Sequence, residues 1–203
     1  MRPHRMTHTE RHTQLLDLAE ELFCAHGYEG VSVEDIARAA GVSRPVIYQH
    51  HGSKEGLFLE CVRRARTDFE ADLAEAETRS GGDLGTFVEA GGELLFAMLR
   101  DRPSRWALIF SSSVGESGQL AQELTALRFG TIDRLAALAA PYAPGVDAQA
   151  LQAFAVAVSG ISEAFGRWWS FQPDLSHDQV LRYFRDFVTS AIHAALEAAQ
   201  SAP

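Results

Sequence analysis

The chain has only two cysteines, Cys24 and Cys61, and they form no Cys-x-x-Cys pair. Both sit inside apolar-periodic segments, so buried free thiols fit better than a disulfide or a metal site, which suits a cytosolic setting. No apolar run approaches the ~18 residues of a membrane-spanning helix. The N-terminus, MRPHRMTHTERH, lacks the apolar stretch of a secretory signal. A soluble, cytoplasmic chain is expected. Enzyme signatures are missing as well: there is no GxSxG, HExxH, GxGxxG or P-loop pattern. His4, His8 and His12 recur at spacing four but fall mostly ahead of the first helix, and the adjacent His50 and His51 point apart on a helix. No catalytic residue, cofactor or metal is expected.

Positive charge is also in short supply. The chain carries a net charge of −9, and residues 1–60 hold six Lys/Arg against nine Asp/Glu. The distribution is more informative than the sum. No acidic residue lies between Asp35 and Glu55, whereas Arg38, Arg44, His50, His51 and Lys54 all do. Charges more than about 10 Å apart on a surface are largely screened, so a local basic window can serve phosphate contacts on an acidic protein.

What the sequence does contain is helix throughout. Its 203 residues, 46% of them apolar, can bury a core in one or two domains. Apolar positions recur at three and four, and no stretch alternates over strand length. Thr7 with Glu10 opens a first helix that Gly27 stops, and Ser32 with Asp35 opens a second that ends at the turn residue Gly41. Ser43 is expected to cap a third helix, with Pro45 tolerated in its first turn, and Ser53 a fourth that runs to about Arg79. Ser80-Gly81-Gly82-Asp83 breaks that rod. Further helices follow: one ended by Arg102-Pro103, a short segment with Trp106 and Phe110, one over about Gln119–Ala140, and two long ones from Asp147 and Ser176.

The segment Ser32–Gly41 followed by Ser43–Lys54 (SRPVIYQHHGSK) reads as a helix-turn-helix, the unit whose second helix enters the major groove of DNA. From about Thr9 to Phe58 the chain resembles the TetR family of transcriptional regulators. The resemblance is carried by Ala19-Leu22-Phe23, Gly27-Tyr28, Ser32-Val33, Ile36-Ala37, Ala40-Gly41-Val42-Ser43, Ile47-Tyr48, His50 and Ser53-Lys54-Glu55 with Leu57-Phe58. It implies an all-α fold: a three-helix DNA-binding domain over residues 1–55, joined by a long helix to a helical-bundle domain over 56–203 that binds ligand and dimerises. It also implies DNA contacts at Ser32, Ser43, Arg44, Pro45, Val46, Tyr48, Gln49, His50 and Lys54. Arg44, Pro45 and Val46 would meet base edges, Tyr48 and His50 would clamp the backbone, and Ser32 and Lys54 would hold phosphates. Gln49 could contact either, and Ile47 should be core. The chain departs from the family at His51, where an apolar residue, often Phe, usually seats the recognition helix. A mobile arm with Arg2, Arg5 and Arg11 could graze the minor groove.

For the second domain, the resemblance implies a two-fold dimer built from the last two long helices. Ala153, Ala157, Gly160 and Ala164 would permit close approach, with Phe184, Phe187, Val188 and Ile192 packed against them. A homodimer predicts a palindromic operator in double-stranded DNA, with half-sites about one helical turn apart. Aromatic area is concentrated in Trp106, Phe110, Phe129, Phe165, Trp168 and Trp169, which suggests an apolar pocket for a lipophilic small-molecule effector, with Ser112 or Arg128 as polar groups. The expected function is that of a ligand-responsive repressor. The alternatives are an activator of the same family and an all-α small-molecule-binding protein without DNA binding.

Overall fold

A computed structural model describes residues 6–110 and 118–201, and these are helical with no strand among them. Arg2, Arg5, His4 and Ser112 lie outside the described residues. In chain order the helices are α1 (His8–His26), α2 (Val33–Ala40), α3 (Arg44–His51), α4 (Lys54–Arg79), α5 (Leu84–Asp101), α6 (Pro103–Ile109), α7 (Gln119–Ala139), α8 (Ala148–Ser170) and α9 (His177–Ser201). A 3-10 turn, Ala140–Tyr142, follows α7. No described helix is long and apolar enough to cross a membrane.

Local chemistry sets most of the helix starts. Thr7 with Glu10, and Ser32 with Asp35, close reciprocal capping boxes, so the first amides of α1 and α2 are satisfied. Ser176 and Gln179 do the same ahead of α9. Asp83 and Asp147 cap α5 and α8 singly. Ser53 accepts from the Gly56 amide at 3.0 Å and so starts α4. Gly41 sits at φ 64°, ψ 35°, the left-handed conformation that turns α2 into α3 with least strain.

The chain divides into two compact units: residues 1–65 with 104–125, and residues 66–103 with 126–203. This boundary falls inside α4, where the sequence reading placed it at 55, and it assigns α6 to the first unit.

In the first unit α1, α2, α3 and the opening of α4 close on Leu15, Ala19, Phe23, Ile36, Ile47, Leu57 and Val62, all buried. Phe23 and Phe58 meet edge-to-face at 5.0 Å. Glu20 is buried between two guanidinium groups: Arg105 donates to it at 2.8 Å, and Arg64 donates to its other oxygen. Arg64 also reaches Asp17 at 2.7 Å. Cys61 is buried and Cys24 half-buried, both free, and burial pushes their thiols up to about 12 and about 11.

The second unit is organised by α5, α8 and α9. Phe96 is fully buried and meets Phe184 and Trp169 edge-to-face at 5.4 and 5.9 Å. A Cβ on Gly92 would come within 2.7 Å of Leu181 and 2.9 Å of Phe184, so α5 and α9 approach closely through this glycine.

Candidate nucleic-acid interface

Helix α3 is divided cleanly by its own period. Ile47 and His51, four apart, point inward and are buried; Arg44, Pro45, Tyr48 and Gln49 are exposed. Val46 and His50 are half-buried at the margin. Ser43 takes the extended N-cap backbone, but its hydroxyl makes no capping bond, contrary to expectation. The turn is closed instead by the Val46 amide on the Ser43 carbonyl at 3.0 Å, which leaves the exposed hydroxyl free of a capping role.

Four of the expected contact residues, Ser32, Arg44, Tyr48 and Lys54, line one open groove of about 450 Å³. Glu29, Glu34 and Asp35 line it too. The acid-free stretch of sequence is therefore not an acid-free surface, and any phosphate here would lie near carboxylates as well as cations. Ser32 is already occupied: its amide donates to Asp35 Oδ2 at 3.0 Å and its hydroxyl to the same oxygen at 2.5 Å. These bonds hold the Asp35 carboxyl below its ordinary value. A phosphate contact through Ser32 would have to compete with them.

Lys54 has its Nζ 4.1 Å from the centre of the Tyr28 ring, a cation–π contact that fixes the ammonium at the start of α4. Burial, with a bond to Glu55, pushes the Tyr28 phenol up to about 12. Sequence inspection gave Tyr28 no role of its own; its partner is 26 positions away and only the fold brings them together.

The histidines also behave unexpectedly. His50, expected at the DNA backbone, is stacked on His8 at 4.2 Å, and its Nδ1 is buried without a partner. His51 sits in the core: its Nδ1 is 2.7 Å from Glu60 Oε2, and its ring stacks on His12 at 4.7 Å. The polar ring is thus seated by a carboxylate from α4. Among the described residues, His12, His51 and Glu60 form the one group able to hold a metal ion.

In the other expected sites the structure separates what the sequence grouped. Trp106 and Phe110 are buried in the first unit with rings 4.7 Å apart, whereas Phe129, Phe165, Trp168 and Trp169 belong to the second. Phe129 and Trp168 are exposed, and Trp169 donates to the Leu175 carbonyl at 2.9 Å. Arg128 is paired with Glu163 at 3.2 Å. Along α8, Ala153, Ala157, Gly160 and Ala164 form one exposed stripe, joined by Val156 and Trp168. On α9 only Phe187 of the expected four is exposed, at 60%, with Tyr183 beside it. Phe184, Val188 and Ile192 are buried in their own protomer, because that row faces α5.

A short helix-turn-helix with a projecting, acid-free second helix on a three-helix core defines a DNA-binding protein of the helix-turn-helix class. Residues 15–61 match the family described as bacterial regulatory proteins, tetR family. The HTH-type transcriptional activator FasR of Mycolicibacterium smegmatis is 29% identical over 168 residues, 83% of this chain and 76% of that protein. The repressor KstR2 of Rhodococcus jostii is 43% identical over 80 residues, 39% of each chain. The repressor AcnR of Corynebacterium glutamicum is 37% identical over 73 residues, 36% of this chain and 37% of that one. The latter two matches span well under half of those relatives. Two solved structures share the fold over nearly the whole chain. A putative transcriptional regulator from Pseudomonas aeruginosa PAO1 has a TM-score of 0.77 at 18% identity, covering 98% of both chains. A tetR-family regulator from Streptomyces coelicolor has a TM-score of 0.75 at 17% identity, covering 97% of this chain and 90% of that one. Residues 15–61 are thus a DNA-binding domain of the tetR-family type, and the chain is a DNA-binding transcriptional regulator.

Proposed function

We propose that the protein acts as a homodimer on a palindromic operator, with α3 of each protomer in the major groove and an effector that controls the affinity. The observation that carries the dimer is the exposed row Ala153, Val156, Ala157, Gly160, Ala164 and Trp168 on α8, beside Tyr183 and Phe187 on α9. Small residues on one helix next to exposed rings on its neighbour suit an isologous four-helix contact. Arg44 is assigned to a base edge, with Pro45, Val46 and Gln49 beside it; Ser43, Tyr48 and Lys54 are assigned to the phosphate backbone. Ser32 contributes only as far as its bonds to Asp35 open. His50 supports the helix from the His8 side in place of the clamp expected of it. The effector is a lipophilic small molecule bound in the second unit, with Phe165 and Trp169 as the candidate lining. The site of action is the bacterial cytoplasm.

Repression needs nothing more than occupancy of a promoter, whereas activation needs a further contact with the transcription machinery, so repression is the primary reading. Activation is the second, favoured by the match to the activator FasR over 168 residues. Phe187→Arg tests the assembly. Sedimentation should show the parent as a dimer and the variant shifted toward monomer, with operator affinity falling at least tenfold. A monomeric parent that still selects a palindrome from random duplexes would overturn the assignment. A reporter driven by the selected promoter reads the sign of control.

A further inference from the structure

We propose that His12, His51 and Glu60 form a binding site for a divalent transition-metal ion of the zinc class, tying the end of the recognition helix to α1 and α4. The three residues come from three helices, and one donor atom of each lies within 4.8 Å of the others. His51 Nδ1 is 2.7 Å and His12 Nε2 3.6 Å from the same Glu60 oxygen. Two imidazoles and a carboxylate are a donor set that zinc accepts, with a fourth position left for water.

A second observation is independent of this clustering. The His51 side chain is fully buried, and its Nε2 has no hydrogen-bond partner. Glu60 accounts for one ring nitrogen only. An apolar ring would fill the same space without leaving that nitrogen unpaired, so packing alone does not account for a histidine here, although an ion held by Nδ1 would leave Nε2 as it is. His12 and Glu60 keep about a third of their side-chain surface exposed, 36% and 30%, which gives an ion a path inward and lets both adjust around it. Donors about 2.0–2.2 Å from one ion lie somewhat over 3 Å apart, so the His51–Glu60 pair must open slightly and the His12 ring must turn out of its stack on His51 to aim a nitrogen at the same point.

Position makes the site consequential. His51 is the last residue of α3, four residues beyond the buried anchor Ile47. An ion held from three helices crosslinks the DNA-binding unit at the base of its recognition helix, and it should stabilise that unit by mass action.

The test uses full-length protein stripped with a chelator and titrated with Zn²⁺ against a chromophoric competitor. Co²⁺ serves as a spectroscopic probe of coordination geometry. The expected result is one ion per protomer, bound in the micromolar range or tighter, with a rise in Tm on saturation. Glu60→Gln and His12→Ala should each weaken binding at least tenfold and abolish the Tm rise. His8→Ala should leave both unchanged, which separates this site from the N-terminal histidine run. Circular dichroism of each variant confirms that it is folded. No binding by the parent, binding that survives Glu60→Gln, or binding lost through His8→Ala instead would each overturn the proposal. None of these readouts depends on DNA.

Discussion

Removing the Glu20 carboxylate should loosen the first unit by an amount the geometry constrains. Glu20 is 9% exposed in its side chain, and it receives Arg105 at 2.8 Å and Arg64 on its other oxygen. Removing one partner of a fully buried ion pair costs about 3–5 kcal/mol, chiefly by stranding the remaining charge. Here the cost is smaller: the two arginine side chains are 21% and 20% exposed, and Arg64 retains Asp17 at 2.7 Å. A loss of about 2–3 kcal/mol is the appropriate scale for partly solvated guanidinium groups. For a chain of this size each kcal/mol moves Tm by about 2–4 °C, so Glu20→Ala should lower it by about 4–12 °C. Glu20→Gln, which keeps the volume and one acceptor, should fall in between. Thermal unfolding followed by circular dichroism at neutral pH is the assay. A Tm for Glu20→Ala within about 1 °C of the parent would mean that water replaces the carboxylate without loss, and the view of this triad as a brace would be wrong.

Two further outcomes are expected. Arg44→Ala should relax the preference at one base position by about 1–3 kcal/mol, while Lys54→Ala should weaken all sequences alike and lower the salt slope by about one. Binding titrations at several salt concentrations distinguish them, and identical behaviour of the two variants would refute the assignment. Stability should also fall on acidification through the histidine range. His51 and His50 are both held below their ordinary value of 6.5, chiefly by burial; the neighbouring His8, His51, His12 and Arg11 add to this at His50, while Glu60 opposes it and His12 adds to it at His51. The unfolded chain therefore takes up protons first, and the stability these rings contribute is present above about pH 6.5 and lost below it. Urea unfolding at a series of pH values, in chelator, should show this slope, and a His50→Phe/His51→Phe variant should flatten it. Equal slopes would refute it.

Sequence was most informative where the chemistry is local. A capping box needs residues three apart, so Thr7–Glu10, Ser32–Asp35 and Ser176–Gln179 were visible as written, as was the turn at Gly41. The inward placement of Ile47 followed from helical period alone. What was hidden depends on distant partners. His51 stood out as an anomaly because Glu60 and His12, which seat it, come from other helices. The acid-free window was real along the chain, yet Glu29, from the turn before α2, and Glu34 and Asp35, from its first turn, line the same groove. On α9, Tyr183 and Phe187 form one apolar row and Phe184 and Val188 the next. Period identifies both rows but not which of them α5 covers. The aromatic set divided because nothing in composition shows that residues 104–125 cluster with the first unit.

The corner between α3 and α4 has almost no slack. The His51 carbonyl receives the Ser53 amide at 2.8 Å, and a Cβ at position 56 would come within 2.4 Å of that same oxygen. The end of α3 is thus joined to the start of α4 through a closely packed turn that only glycine at position 56 allows. On the proposed function, new target sites would come from exchanging the outward residues at 44, 45 and 49 rather than from re-aiming the helix that bears them.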